Sequence, residues 1–110
     1  MELDQKKCVA CEGNVAPYNQ TEADVLLKQV PGWVLSADAK SISRSYTFKD
    51  FAGALAFVNT VGAIAESEGH RPDIAFSWGR ADIRLTTHAI NGLSENDFIV
   101  AAKINRIEVQ

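Results

Sequence analysis

The residues whose type best suits chemistry near neutral pH are the two histidines of the chain, His70 and His88. Histidine exchanges protons in this range because its unperturbed pKa is about 6.5. His70 lies in a segment rich in polar residues, 66–72, which also contains Glu66 and Arg71. Two imidazoles that converge in the fold would form a candidate general acid and base.

A predicted β-hairpin brings the two histidines to the same end of a sheet. The stretches 73–78 and 81–88 each alternate apolar with polar residues, the pattern of half-buried strands. Gly79-Arg80 between them predicts a two-residue turn with glycine first, as a type II′ hairpin prefers. This register pairs Trp78 with Ala81 and, when continued, places Arg71 opposite His88. We therefore expect both histidines and Arg71 to cluster, with Glu66 as a further candidate from the preceding helix.

Three helices are predicted from start and stop signals. The first begins at a capping box on Thr21 and ends before Pro31-Gly32. The second starts near Thr47 as N-cap and ends at Gly69. The third begins at Ser94, where Asp97 completes a capping box.

The order of elements predicts the fold class. A second hairpin, with strands around 33–35 and 41–48, lies between the first two helices. The sequence therefore predicts an α+β fold, a four-stranded antiparallel sheet with three helices on one face, in the order αββαββα. Residues 1–20 lack periodicity and are predicted to form a flexible N-terminal arm, with a single domain over 21–110.

Charge and hydropathy narrow the choice of partners. The net charge of -3 argues against direct binding to nucleic acid, which usually needs a concentrated basic face. No apolar run is long enough to span a bilayer, and no signal peptide is visible at the N-terminus. We expect a cytoplasmic protein with no membrane partner. The last helix is apolar on more than one face, which predicts that a second subunit covers part of it.

Cys8 and Cys11 form a single C-x-x-C motif that leaves three alternatives open. It could be half of a zinc site completed by the two histidines. It could be a redox pair, although nothing resembling a strand precedes Cys8. The simplest interpretation is a pair of reduced thiols in a mobile segment, with no metal bound.

The spacing of the candidate residues matches a known pattern. The order and spacing of six residues resemble the signature of the pterin-4a-carbinolamine dehydratase family. They are Glu66, three residues, His70, one residue, Pro72, five residues, Trp78, nine residues, His88, eight residues and Asp97. The segments 7–13, 69–74, 87–90 and 92–98 are also similar to sequences of this family. The resemblance therefore covers nearly the whole chain.

The resemblance implies an activity and a site. Members of the family remove water from 4a-hydroxytetrahydropterin to give quinonoid dihydropterin, which recycles the cofactor of aromatic amino acid hydroxylases. They need no metal or organic cofactor and form homodimers or homotetramers. By resemblance His70 and His88 are catalytic, and Arg71 belongs to the same catalytic group. The residues expected at the pterin are Glu66, Pro72, Trp78, Thr87, Ala89, Ile90 and Asp97.

Arg71 departs from the family pattern, which usually has a second histidine or an asparagine at this position. Arginine cannot exchange its proton usefully, but it can donate hydrogen bonds to a departing hydroxyl or to the pterin carbonyl. Three outcomes follow: an active enzyme, a slow enzyme, or a non-catalytic module that binds pterin or a protein partner. The last has a precedent in animal members, which act as dimerisation cofactors for a homeodomain transcription factor. Structural roles also remain open for Asp97, as a helix cap, and for Trp78, as a core residue.

Overall fold

The computed structural model describes residues 1–10, 13 and 15–109. It confirms the predicted α+β fold and the order αββαββα. The helices and strands are α1 (Gln20–Leu27), β1 (Val34–Leu35), β2 (Ile42–Thr47), α2 (Phe51–Glu68), β3 (Asp73–Ser77), β4 (Arg80–Leu85) and α3 (Glu95–Asn105). Two short 3₁₀ helices, Leu3–Gln5 and His88–Ile90, complete the described elements.

The four strands form one antiparallel sheet in the order β1-β2-β4-β3. Alternate residues of β4, Ala81, Ile83 and Leu85, are fully buried and form the centre of the core with α2 and α3. Burial of such apolar side chains is the main force that holds the helices on the sheet. No helix formed by the described residues is long and apolar enough to cross a membrane.

Two of the predicted helix starts are wrong. The N-cap of α1 is Asn19, not Thr21, because the Asn19 and Glu22 side chains exchange hydrogen bonds with each other's backbone N–H at 2.9 and 3.0 Å. The N-cap of α2 is Asp50, which accepts from the Gly53 N–H at 2.8 Å, whereas Thr47 ends β2. The predicted cap of α3 on Ser94 is confirmed.

The predicted register of the β3–β4 hairpin is wrong by two residues. Phe76, not Trp78, lies opposite Ala81, and Trp78-Gly79 forms the turn instead of Gly79-Arg80. A shift of two residues keeps each side chain on its predicted face, because side chains alternate with a period of two. The pairing of Arg71 with His88 is also wrong, since β4 ends at Leu85 and His88 begins a 3₁₀ helix.

The apolar surface of α3 is covered by its own chain, so the inference that a second subunit covers it is wrong. Residues 96–102 and Ile104 of α3 are all buried within the protomer. Leu3 joins this core with 5% of its surface exposed, and Lys6 forms an ion pair with Glu95 at 2.9 Å. The N-terminal segment therefore packs along α3 in the structure, and its flexibility stays a prediction.

Candidate active site

The end of α2 fixes the backbone that carries His70. Gly69 adopts a left-handed conformation with φ of 66°, which confirms the predicted glycine at the end of this helix. The N–H groups of Gly69 and His70 donate to the carbonyls of Glu66 and Ala65 at 3.3 and 3.2 Å. These bonds satisfy the last carbonyls of the helix and set the direction of the chain before β3.

The imidazole of His70 is held by Asp97. Its Nε2 lies 2.6 Å from Asp97 Oδ1, and the two side chains are 9% and 0% exposed. The other oxygen, Oδ2, accepts from the Thr87 hydroxyl at 2.8 Å and from the Ser94 N–H at 3.0 Å. When the Asp97 carboxylate is ionised it can only accept a hydrogen bond, so that Nε2 then carries the proton and Nδ1 is left for proton exchange.

His88 has a more open setting than His70. It is the first residue of the 3₁₀ helix His88–Ile90, and its side chain is exposed. Thr87 and Gly92 close this loop with two backbone hydrogen bonds, of 2.8 and 3.4 Å. Among the described residues, none hydrogen-bonds the His88 ring.

A cleft of about 670 Å³ brings together most of the polar candidates predicted from the sequence. This volume lies within the range of small-molecule sites, roughly 300–1,000 Å³. The residues that line it are Gly62, Ala65, Glu66, Gly69, His70, Arg71, Pro72, Asp73 and His88. Asp73 is already paired with Arg84 at 2.9 Å, whereas no ion pair within the described part of the chain involves Glu66 or Arg71.

Other predicted site residues lie elsewhere. Trp78 is 69% exposed at the turn of the β3–β4 hairpin and lies beside Phe51, with ring centroids 6.1 Å apart. Ile90 is a core residue with 8% of its surface exposed. Asp97 is fully buried behind His70, so the geometry favours a role in holding the histidine over direct contact with a substrate. Thr87 and Ala89 line a second cavity that adjoins the cleft.

A buried carboxylate that the sequence did not single out lies two residues before His70. The Glu68 side chain is 4% exposed and accepts from the Cys8 N–H at 2.8 Å, with Lys103 at 3.3 Å and Lys7 at 3.6 Å. Burial opposes its ionisation, but the Cys8 N–H and the two lysines outweigh burial and hold the pKa of Glu68 below its ordinary value. The sequence feature that could have identified Glu68 is the presence of two glutamates, Glu66 and Glu68, at a helix C-terminus, where the helix dipole disfavours negative charge.

Cys8 is partly buried near this carboxylate. Burial and the charge of Glu68 raise the pKa of the Cys8 thiol to about 12, which leaves it a poor nucleophile and a poor metal ligand at neutral pH. Cys11, the other cysteine of the predicted motif, lies outside the described residues. Within the described residues, no three histidine, cysteine or acidic side chains are grouped closely enough to hold a metal ion.

Comparison with known proteins gives a consistent result. Residues 16–107 match the model of the family described as pterin 4 alpha carbinolamine dehydratase. A protein of Halorhodospira halophila is 49% identical over 107 residues, covering 97% of this chain and 98% of its own. A protein of Aromatoleum aromaticum is 50% identical over 102 residues, covering 93% and 91%. Both are provisionally named pterin-4-alpha-carbinolamine dehydratase.

Solved structures with the same fold have been described in two settings. The transcriptional coactivator/pterin dehydratase from Brucella melitensis is 32% identical, with a TM-score of 0.76, and the match covers 81% of this chain and 95% of that one. A pterin dehydratase-like protein, described as a RuBisCO assembly factor in the alpha-carboxysome, matches with a TM-score of 0.59 over 67% and 86% of the two chains. At 23% identity, the second likeness shows the fold alone.

Proposed function

The chain belongs to the pterin-4a-carbinolamine dehydratase family, and we propose that it removes water from 4a-hydroxytetrahydropterin to give quinonoid dihydropterin. This reaction recycles the cofactor of aromatic amino acid hydroxylases and proceeds without a metal or an organic cofactor. The observation that carries the proposal is the pair formed by His70 and the fully buried Asp97, on the wall of a cleft that also contains His88.

The two imidazoles suit the proton transfers of this dehydration. The C4a–O bond breaks as a protonated group delivers a proton to the leaving oxygen, which departs as water. A ring nitrogen then loses its proton to a neutral group, and the electron pair completes the carbon–nitrogen double bond. His70 and His88, one protonated and one neutral, supply both groups. General acid and base help of this kind contributes roughly 10²–10⁴-fold.

Arg71 and Glu66 complement the histidines at the mouth of the cleft. Both are exposed, and both line the same cavity as the two imidazoles. The Arg71 guanidinium is a suitable donor to the departing hydroxyl or to the pterin carbonyl. The Glu66 carboxylate is a suitable acceptor for the amino group and ring N–H of the pyrimidine, which are adjacent donors.

A steady-state dehydration assay of the purified chain tests the proposal. We expect acceleration over buffer, a large loss in His88→Ala and a higher rate in Arg71→His, which restores the residue usual in the family. The free energy of unfolding of each variant, measured in urea, serves as the control for folding. If the parent gives no acceleration while Arg71→His is active, the enzymatic proposal is wrong for this protein.

A second candidate function is a non-catalytic module that binds pterin or a protein partner. It is favoured by a group of exposed aromatic residues, Phe51, Phe76 and Trp78, whose exposed fractions are 38, 39 and 69%. Phe51 and Phe76 are stacked, with ring centroids 5.6 Å apart. Affinity capture of a stoichiometric partner, unaffected by His70→Ala and lost in Trp78→Ala, would support this function over catalysis.

The proposal includes a homodimer or homotetramer in the cytoplasm. The exposed aromatic group includes Phe76 of β3, which is an edge strand with one side unpaired by the described residues. Exposed apolar groups of this kind mark interaction surfaces. Light scattering after size-exclusion chromatography gives the oligomeric state, and fractionation of the source cells tests the location.

A further inference from the structure

A second cavity of about 410 Å³ adjoins the catalytic cleft, and the N-terminal segment Lys6–Ala10, which we call the strap, contributes part of its wall. Cys8, Val9 and Ala10 of the strap line this cavity. The facing residues include Thr87, Ala89 and Asn96. The cavity and the catalytic cleft share Gly69, His70, Arg71 and His88, so the reactive side chains stand at the junction of the two.

The strap is held by side chains that are themselves buried. The Val9 N–H donates to Asn96 Oδ1 at 3.0 Å, and Asn96 Nδ2 donates back to the Val9 carbonyl at 2.6 Å. The Cys8 N–H donates to Glu68 at 2.8 Å. Asn96 is 5% exposed and the Glu68 side chain 4%. Because buried polar groups are costly to leave unpaired, these bonds hold the strap as a defined wall of the cavity.

The two cavities differ in chemical character. The catalytic cleft has an exposed carboxylate, that of Glu66, with no ion pair to any described residue. Among the described residues that line the strap cavity, the one carboxylate is that of Glu68, which is already bonded to the Cys8 N–H and paired with Lys7 and Lys103. The strap cavity is the smaller of the two, and its lining combines the small apolar side chains of Ala10 and Ala89 with polar ones, among them Thr87 and Asn96.

The geometry of a pterin matches this division. Its reacting carbon, C4a, lies where the two rings are fused, and must be within reach of both histidines at the junction of the cavities. The pyrimidine ring then extends into one cavity, and the other ring, with any substituent on C6, extends into the other. The adjacent amino and N–H donors of the pyrimidine pair best with an available carboxylate, which places this ring beside Glu66.

From this arrangement we infer that the strap cavity receives the C6 substituent of the pterin, and that the strap sets which substituents are accepted. The inference rests on the proposed function, because it takes a pterin as the ligand. The family model covers residues 16–107 and so does not include the strap, whereas the match to the protein of Halorhodospira halophila covers 97% of the chain. Ala10 and Ala89 line the strap cavity but not the catalytic cleft, and are therefore the positions at which selectivity can be altered.

Binding of two stable fluorescent probes tests the inference in the full-length chain. Oxidised 6-methylpterin carries a small C6 group, and biopterin carries a dihydroxypropyl group. We expect Ala10→Leu and Ala89→Leu to weaken biopterin binding roughly tenfold or more, since one or two misfitting methylene groups have effects of this size. The affinity for 6-methylpterin should change less than about threefold. Gly62→Leu, which narrows the catalytic cleft instead, is the matched control and should weaken both pterins alike.

The possible outcomes separate the two proposals. A change in the ratio of the two affinities in the Ala10 and Ala89 variants, absent from the Gly62 variant, supports the strap cavity as the selectivity site. If the parent binds both pterins and the variants weaken both equally or neither, the strap inference is overturned and the dehydratase proposal stands. If the parent binds neither pterin, both are overturned.

Discussion

The two histidines of the cleft differ in how firmly the fold holds them. The His70 side chain is 9% exposed and is bonded to a carboxylate that is fully buried. The His88 side chain is exposed on a three-residue 3₁₀ helix, with no hydrogen bond to a described residue. One side of the cleft is therefore preorganised before substrate binds, and the other keeps the freedom to adjust to it.

The origin of the difference is the placement of Asp97. This residue caps the start of α3, and the packing of α3 on the sheet brings its carboxylate against His70. Thr87, the neighbour of His88, donates to the same carboxylate, but the His88 ring takes no part in this network. The hydrogen-bond network thus fixes the ring of His70, whereas it fixes only the backbone that carries His88.

The largest expected effect is on activity, and it tests whether the two histidines differ in how they are enclosed. We expect His70→Ala and His88→Ala each to lower kcat by roughly 10²–10⁴-fold. Added imidazole should restore His88→Ala more efficiently, because the position of His88 is open to solvent while that of His70 is enclosed. The double variant is the control and should show little rescue. Equal rescue of the two single variants would contradict the difference in enclosure.

A second prediction concerns the closed side of the cleft, where Cys8 lies against Glu68. A pKa of about 12, raised from 9.0 by burial and by Glu68, lowers the thiolate fraction at pH 8 about 1,000-fold. In a Cys11→Ser variant, we therefore expect alkylation of the folded chain by iodoacetamide to be about 1,000-fold slower than in denaturant. The rate should keep rising as the pH increases toward 12. A folded-state rate that levels off near pH 9 would contradict the raised pKa.

The sequence predicted the faces of the sheet better than its register. Alternation of apolar and polar residues identified Ile83 and Leu85 as inward-facing, and both are fully buried. The turn was misplaced because Gly79 suits either position of a two-residue loop, and a shift of two residues leaves the alternation unchanged. Burial patterns specify the face of a strand, whereas the register of a hairpin depends on the type and length of its turn.

The same limit applies to the candidate site. Spacing identified His70, His88 and Asp97, but the contact between Asp97 and His70 joins residues 27 positions apart and depends on how α3 packs. Asp97 is both the predicted cap and the partner of the histidine, since one oxygen accepts from Ser94 and the other faces His70. The strap had no periodic pattern to reveal it, because its backbone is held by the side chains of Glu68 and Asn96 instead of by a strand partner.

Removing the charge of Asp97 should leave the His70 ring less firmly held, as the His88 ring is. Asp97→Asn has the same shape, but its amide can donate to the imidazole and favour the wrong tautomer. We expect kcat to fall roughly 10–100-fold and the pH profile of kcat to change, with a smaller effect on KM. The free energy of unfolding, measured in urea, reports the loss of the hydrogen bonds to Thr87 and Ser94 separately from the effect on catalysis. An unchanged pH profile with lower stability would indicate a purely structural role for Asp97.

The smallest expected effect is on stability, and it concerns the helix that carries the fixed side of the cleft. Gly62 lies inside α2, and a methyl group added there meets no atom within 4 Å. Gly62→Ala should therefore raise the free energy of unfolding by about 0.5–1 kcal/mol, because alanine loses less conformational freedom in a helix. Gly69→Ala is the matched control: it should lower stability, since φ at this position is 66°. In Gly62→Ala, amide hydrogen exchange should slow along α2 and stay unchanged at residues 88–90. Equal slowing in α2 and at 88–90 would show that the two sides of the cleft open as a single unit.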